Sequence, residues 1–287
     1  MASPNLQQLY QQGIKLLGGM GVEAPAIEAK VLMLKATGLS EEKFFASPER
    51  ELTRKEEKKF GRLLEERLSG FPLAYVVGQK EFWSLALKTP AGVFIPRPET
   101  ELLVEKVLEL STKGEEIIID IGTGSGNIAV ALARELPRAR ILATDISAKA
   151  IRAARLNAKI HEAANIQFVR GNLYSALHGL NLKKKVDLIV SNPPYVSPEE
   201  SDNLPGPIRN HEPRRALVPG RTGLEFIRRL VSGAPAYLRP GASLLFEIGQ
   251  GQAGKALALF DDRWERADSF SDLSGIPRLI RGALFGV

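Results

Sequence analysis

Apolar positions in the first quarter of the chain recur at helical spacing. Leu6, Leu9 and Tyr10 share one face of a helix, and Ile27, Val31 and Leu34 share another at i, i+4, i+7. Thr53 followed by Glu56 carries the capping-box signature ahead of Phe60, Leu64 and Leu68. These patterns predict a small helical bundle over residues 1–75, with no gathering of reactive side chains in it. The stretch SGFPLAYVVGQKEFWSLALKTPAGVFIPRPET then turns rich in aromatics, Gly and Pro and alternates in polarity, which predicts a β-hairpin linker over 76–99.

From residue 100 to 287 the period switches between two and 3.6. The predicted strands are IIIDI (117–121), RILATD (140–145), IQFVR (166–170), VDLIVS (186–191) and ASLLFEIG (242–249). Between them NIAVALARELP and SAKAIRAARLNAKIHEA read as amphipathic helices. Strands that alternate with helices in this way predict an α/β fold, a mostly parallel, doubly wound sheet with helices on both faces. The stretch 196–220 is long for a loop in a compact domain, and loops of that length are often functional. It is read as a flap over a substrate, with a disordered segment as the alternative.

Composition changes this picture little. A chain of 287 residues has room for two domains, and 44% hydrophobic with 25% charged residues is ordinary for a globular protein. No apolar run nears the ~18 residues that cross a bilayer, and the N-terminus lacks the layout of a signal or transit peptide. A cytoplasmic protein with no membrane partner is therefore expected. Cysteine is absent, and His161, His178 and His211 show no ligand spacing, so no metal is expected. The net charge of +6 fits either a nucleic-acid partner or a solvated surface of dispersed charges.

The chemistry gathers at two strand ends. Directly after IIIDI the chain reads GTGSGN, placing Gly122, Thr123, Gly124, Ser125 and Gly126 between a strand and a helix. Glycines suit such a turn because it is tight and a ligand must approach the backbone without a Cβ in the way. Asp145 ends the next strand, where a carboxylate can accept hydrogen bonds from both hydroxyls of a ribose. The spacing is G-x-G-x-G and not that of a dinucleotide fingerprint, so a nucleoside is favoured over a pyrophosphate. Alone, the loop would also serve as a plain strand-to-helix turn. Beginning as it does with acidic Asp120, it resembles the S-adenosylmethionine loop of Rossmann-like methyltransferases.

The second strand end is SNPPYVSP. Two adjacent prolines cannot donate backbone hydrogen bonds, and each fixes φ near −65°, so the turn is stiff and exposes bare carbonyls. If the strands that end in the glycine loop and in Asn192 are neighbours, as in that methyltransferase fold, the turn faces the methyl donor. An amide or aromatic amine nitrogen is a poor nucleophile because its lone pair is delocalised. Acceptors fixed on its two hydrogens would aim what density remains, and the Asn192 side-chain oxygen and the Pro193 carbonyl suit that task. Tyr195 could stack flat on the planar group. Asn192, Pro193 and Tyr195 are thus the catalytic candidates, with Pro194 beside them. Adenine, guanine and glutamine all remain open as acceptors at this point, and a nucleoside-binding regulator without turnover is the reading from outside enzymes.

Further segments narrow the choice. PLAYVVGQKEFWSL, FIPRPETELLVE, DIGTGSGNIAVALA, SNPPYV, HEPRRALVPGRTGLEFIRRL, LLFEIGQGQ and DLSGIPRLIRG together resemble the release factor glutamine methyltransferase family over residues 70–287. The resemblance implies a Rossmann-like S-adenosylmethionine-dependent methyltransferase domain behind a small helical domain that recognises the substrate. The implied substrate is the glutamine of the Gly-Gly-Gln loop of bacterial class I peptide chain release factors. Nucleic acid then drops out as a direct partner, a methyltransferase acting on adenine or guanine stands as the alternative, and a monomer is expected. The five glycine-loop residues and Asp145 would hold the cofactor, Asn172 and Leu173 would lie near its adenine, and Asn192 would face it. Asn192, Pro193, Pro194 and Tyr195 would hold the glutamine, and Phe94, Arg97 and Glu99 would lie over the cofactor. Asn172 stands where the family usually has Asp, and Thr222 where it often has Asp.

Overall fold

The computed structural model describes residues 4–111 and 115–286. It divides into two compact units. The first runs to Gly78 and takes in Gly206–His211, and the second holds Gln79–Pro205 and the chain from Glu212 on. The hairpin segment therefore counts with the larger unit.

The first unit packs α1 (Leu6–Gly19), α2 (Pro25–Thr37), α3 (Glu41–Ala46), α4 (Arg54–Leu68) and α5 (Leu73–Val77) around one apolar core. Thr53 caps α4: its hydroxyl accepts from the Glu56 N–H at 3.3 Å while the Glu56 carboxylate accepts from the Thr53 N–H at 2.9 Å. In α2 the inward face is only partly the one the spacing suggested, for Val31 and Leu34 are half-buried against this core. Ala29, Leu32, Met33 and Ala36 are buried, whereas Ile27 is 61% exposed. The helix is apolar nearly all round, so periodicity alone could not choose its inner face.

The second unit opens with the hairpin β1 (Gln79–Phe82) and β2 (Leu85–Lys88), then α6 (Glu101–Leu110). There follow β3 (Ile117–Ile121), α7 (Asn127–Glu135), β4 (Arg140–Asp145), α8 (Ala148–Ile160), β5 (Ile166–Arg170) and β6 (Val186–Ser191). Next come α9 (Pro198–Asp202), then α10 (Gly206–His211), which belongs to the first unit, and back in the second α11 (Arg214–Leu217), α12 (Glu225–Gly233), β7 (Leu238–Glu247), α13 (Ala253–Leu257), β8 (Trp264–Ser271) and β9 (Pro277–Leu284). Among the described residues no helix is long and apolar enough to cross a membrane.

Seven strands form one sheet in the order β5-β4-β3-β6-β7-β9-β8, parallel from β5 to β7 and antiparallel at β9 and β8. Its central strands are buried on both faces, which is why they read as unbroken apolar runs. Along β3, Ile119 and Ile121 enter the core on one side and Ile118 the core on the other, the period-two alternation of a strand. Strand order reverses about β3, so the crevice for a ligand lies beyond the carboxyl ends of β3, β4 and β6.

Three local features differ from the sequence reading. The strand β7 starts at Leu238, four residues before the expected Ala242, because the Pro240-Gly241 pair that looks like a turn lies within a strand whose pairing to β6 shifts register. The hairpin β8–β9 was not anticipated; WERADSFS is an edge strand, largely exposed, and lacks a clear apolar alternation. The stretch 196–220 is not an irregular loop, since it folds into α9, α10 and α11, and α10 belongs to the first unit. Its short helices start at local signals, such as the capping box of Ser197 and Glu200 on α9.

Candidate active site

The glycine loop begins where β3 ends, and backbone bonds set its path. The N–H groups of Gly122 and Thr123 both donate to the Thr144 carbonyl at 2.8 Å, so the loop leans on the end of β4. Gly122 (φ +79°) and Gly124 (φ +58°) lie in the left-handed region, and a Cβ on either would meet no atom within 4 Å. Their side-chain positions open into free space, as a cradle for a ligand requires. Gly126 has a different reason to be glycine: besides φ +85°, a Cβ there would come within 2.9 Å of the Ala154 Cβ, so it lets α7 lie close against α8. Fully buried Asn157 supports the loop, donating to the Ser125 carbonyl at 2.8 Å and exchanging hydrogen bonds with the backbone of Lys88.

Two carboxylates accept hydrogen bonds from the loop. Asp120 is fully buried and accepts from the Thr123 hydroxyl at 2.6 Å. Burial pushes its pKa up to about 7, and the nearby negative charge of Asp145 adds to that. Asp145 accepts from the Gly124 N–H at 3.0 Å and from the Ser147 N–H at 2.7 Å, one on each oxygen. Burial raises its pKa as well, against the pull of these two donors and of the Arg215 guanidinium. Each of its oxygens keeps a second lone pair for a ligand hydroxyl.

A cavity of about 460 Å³ lies in front of the loop, inside the roughly 300–1,000 Å³ of small-molecule sites. Gly122, Thr123 and Gly124 form one wall together with Asp145 and Ile146, and Asn172 and Leu173 form an edge. Leu173 holds a positive φ of 49° there. Asn172 is exposed, and its backbone N–H donates to the Ser175 hydroxyl at 3.3 Å. Ser125 and Gly126 do not line it. These residues fit S-adenosylmethionine: the glycine cradle admits its backbone-hugging part, Asp145 can receive a ribose diol, and apolar Ile146 and Leu173 can cover a planar base.

The Asn-Pro-Pro-Tyr turn reaches the same cavity because β6 pairs with β3. At the last residue of β6, the Ser191 hydroxyl donates to the Ile121 carbonyl at 2.6 Å, which ties the two strand ends together. Asn192 and Pro194 line the cavity, whereas Pro193 and Tyr195 do not. The Asn192 Nδ2 donates to the Thr100 hydroxyl at 2.8 Å, and the Tyr195 hydroxyl donates to Glu247 at 2.9 Å. Burial, and then the Glu247 charge, push the Tyr195 phenol far above its usual value, so it stays protonated and a donor.

Of the residues placed over the cofactor from sequence, Phe94 lines the cavity; Arg97 and Glu99 do not. Arg97 instead packs on the Phe94 ring and pairs with buried Glu212 at 2.5 Å. Sequence reasoning did not single out Arg214 and Arg215, which line the cavity, nor Thr100 and Glu247. All four stand inside segments that carried the family resemblance, but no spacing rule marks them.

Comparisons with known proteins bear on both units. Residues 8–78 match the PrmC N-terminal domain, and residues 84–205 match the methyltransferase small domain. The release factor glutamine methyltransferase of Moorella thermoacetica is 41% identical over 277 residues, covering 95% of this chain and 96% of that protein. The chain belongs to the release factor glutamine methyltransferase family. The Coxiella burnetii member of this family is 40% identical over 260 residues, covering 90% of this chain and 91% of its own. Among solved structures, the release factor-specific protein-(glutamine-N5) methyltransferase of Alicyclobacillus acidocaldarius is 29% identical, covers 67% of this chain and 94% of its own, and has a TM-score of 0.41. Membership of the family accounts for the α/β Rossmann-like methyltransferase fold of the second unit and for a site that fits S-adenosylmethionine.

Proposed function

We propose that this protein transfers a methyl group from S-adenosylmethionine to the side-chain amide nitrogen of the glutamine in the Gly-Gly-Gln segment of a peptide chain release factor, in the cytoplasm. One observation carries the reading: Asn192, at the cavity wall beside the glycine loop, has its Nδ2 engaged by Thr100, so its Oδ1 is the group left to face an acceptor. When bound, S-adenosylmethionine supplies the methyl group as an electrophile on its sulfonium.

The protein's part is to position a weak nucleophile. The Asn192 Oδ1 accepts one N–H of the substrate amide, and the Pro193 carbonyl, next in the same turn though outside the cavity wall, is the acceptor offered to the other. No backbone N–H among the described residues bonds that carbonyl. With both hydrogens held, the nitrogen's remaining lone-pair density points along one line. Fixed geometry of this kind supplies on the order of 7 to 11 kcal/mol in the best intramolecular models. No strong base is needed before attack, since the nitrogen sheds its proton more readily once alkylated. Gly122, Gly124 and Asp145 hold the nucleoside end of the cofactor, Asn172 and Leu173 border its adenine, and the rigid prolines fix the turn. Tyr195 serves the turn through its hydroxyl bond to Glu247. The helical first unit recognises the release factor, which acts as the protein substrate of a monomeric enzyme.

The test is to incubate the protein with S-adenosylmethionine and a bacterial class I release factor, digest the product and locate the modification by mass spectrometry. One methyl on the side chain of the Gly-Gly-Gln glutamine is expected. A methyl elsewhere, or none, overturns the reading.

A further inference from the structure

A primary amide can sit either way round. Its oxygen and nitrogen ends are nearly equal in size, and only hydrogen-bond partners distinguish them. For Asn192 the distinction matters: turned about, it would offer N–H groups to an acceptor amide that itself presents N–H groups. Something must hold it.

The partners that do so come from two distant parts of the chain. Glu247, the last residue of β7, is brought near by sheet register, since Ser191, the last residue of β6, lies opposite Phe246 and Asn192 and Glu247 follow directly on the two strands. Its carboxylate is buried and accepts two hydrogen bonds, from the Thr100 hydroxyl at 2.5 Å on Oε2 and from the Tyr195 hydroxyl at 2.9 Å on Oε1. Thr100, fully buried, ends the short helical turn Pro98–Thr100 ahead of α6. Burial raises the Glu247 pKa against the pull of these two hydroxyls; as a carboxylate it can only accept, so Thr100 gives it the one hydrogen a hydroxyl has. Toward Asn192 it offers only lone pairs, and it accepts from Nδ2 at 2.8 Å. A reversed Asn192 would set its carbonyl oxygen against those lone pairs, with a hydrogen bond lost and a repulsion gained.

We infer that Thr100 and Glu247 are positioning residues that lock the Asn192 amide with its oxygen toward the cavity. The same carboxylate holds Tyr195, so both ends of the Asn-Pro-Pro-Tyr turn hang from one group on the neighbouring strand. Burying a carboxylate is a poor way to gain stability, because well-packed apolar residues often serve as well or better. Its place here is accounted for by direction: an acceptor that takes the only hydrogen of Thr100 fixes the sense of every bond in the chain of hydrogen bonds. The inference rests on the function proposed above.

Its test compares Thr100→Val, which keeps shape and loses the hydroxyl, with Thr100→Ser, which keeps the hydroxyl. With release factor as substrate, Thr100→Val should lower kcat by about 10- to 100-fold, the scale of a small misplacement of a reacting group. KM and the affinity for S-adenosylhomocysteine should stay within about threefold, and Thr100→Ser should recover most of kcat. Adding Thr100→Val to Asn192→Ala should cost nothing further, because the locked group is already gone. An unchanged kcat in Thr100→Val, failure of Ser to restore it, or full additivity with Asn192→Ala overturns the inference. If the unmodified protein methylates no release factor, the functional reading fails, and the lock is judged without turnover. The Asn192 side-chain NH2 resonances, assigned by their loss in Asn192→Ala, should exchange slowly with solvent in the unmodified protein and faster in Thr100→Val. Equal exchange in the two overturns it.

Discussion

The two strand ends that meet at the cavity are held by different means. At the end of β3 the glycine loop is shaped by its own backbone: positive φ at Gly122 and Gly124, two N–H bonds to the Thr144 carbonyl, and an open face where side chains are missing. At the end of β6 the Asn-Pro-Pro-Tyr turn has a rigid backbone, but its side chains are aimed by Thr100 and Glu247. The first arrangement suits a ligand gripped by shape and backbone, and it is the same before and after reaction. The second suits a group whose direction must be right at the moment a bond forms. Damage to the loop side should therefore appear in cofactor affinity, and damage to the turn side in turnover.

The sharpest break in that comparison should come from Asn192→Ala. Turnover is expected to fall by about 10²- to 10³-fold, the usual cost of losing one transition-state hydrogen-bonding group. Calorimetric affinity for S-adenosylhomocysteine should hardly move, and a loss confined to affinity would place Asn192 on the loop side. Next in size, Asp145→Ala should weaken S-adenosylhomocysteine binding by about 1.5 to 3 kcal/mol, the range for hydrogen bonds to a charged group, while kcat at saturating cofactor changes much less. A dissociation constant equal to that of the unmodified protein would remove Asp145 from the ribose contact.

The loop side also carries a pH signature. The Asp120 pKa is about 7 when folded and near 4 when unfolded. Below about pH 4 both states hold the proton and Asp120 contributes nothing. Between about pH 4 and 7 the unfolded chain releases a proton that the folded protein keeps, so stability falls as pH rises, by at most about 1.4 kcal/mol per pH unit, and the full penalty is present above 7. Urea unfolding across this range should show the stability of Asp120→Asn relative to the unmodified protein rising with pH and then levelling. A flat difference would mean that Asp120 is not kept protonated by burial. The smallest effect is expected at the cavity edge. Asn172→Asp adds charge to an acceptor already present and should tighten S-adenosylmethionine binding by no more than about tenfold, whereas Asn172→Leu should weaken it. Equal titrations for Leu and Asn would take residue 172 off the adenine.

The same comparison explains what could be read in the sequence. The glycine loop and Asp145 were legible because a tight turn and its carboxylate announce themselves within 25 residues. The rigidity of Asn-Pro-Pro-Tyr was legible too, since proline fixes φ wherever it stands. What aims that turn was not: Thr100 lies 92 residues from Asn192, and Glu247 lies 52 from Tyr195. Only the adjacency of β6 and β7 brings Glu247 near, and no local pattern encodes strand order. Tyr195 shows the limit well, because the sequence suggested a ring laid on the substrate, whereas the structure directs its hydroxyl at Glu247 and leaves it out of the cavity wall. The sheet was legible strand by strand from β3 to β6, most clearly in β3, β4 and β6, where burial on both faces leaves nearly continuous apolar runs. The edge hairpin β8–β9 was not, because an exposed strand carries no such run. In α2, apolar residues on most sides hid the true inner face.

The central claim is that the turn on β6 orients a glutamine amide, and one assay addresses it most directly. The protein is incubated with labelled S-adenosylmethionine and, in parallel, a class I release factor, the same factor with its Gly-Gly-Gln glutamine changed to alanine, duplex DNA and ribosomal RNA. Label in the unmodified release factor alone is the predicted result. Label in the Gln→Ala factor, or in either nucleic acid in place of the factor, would contradict it.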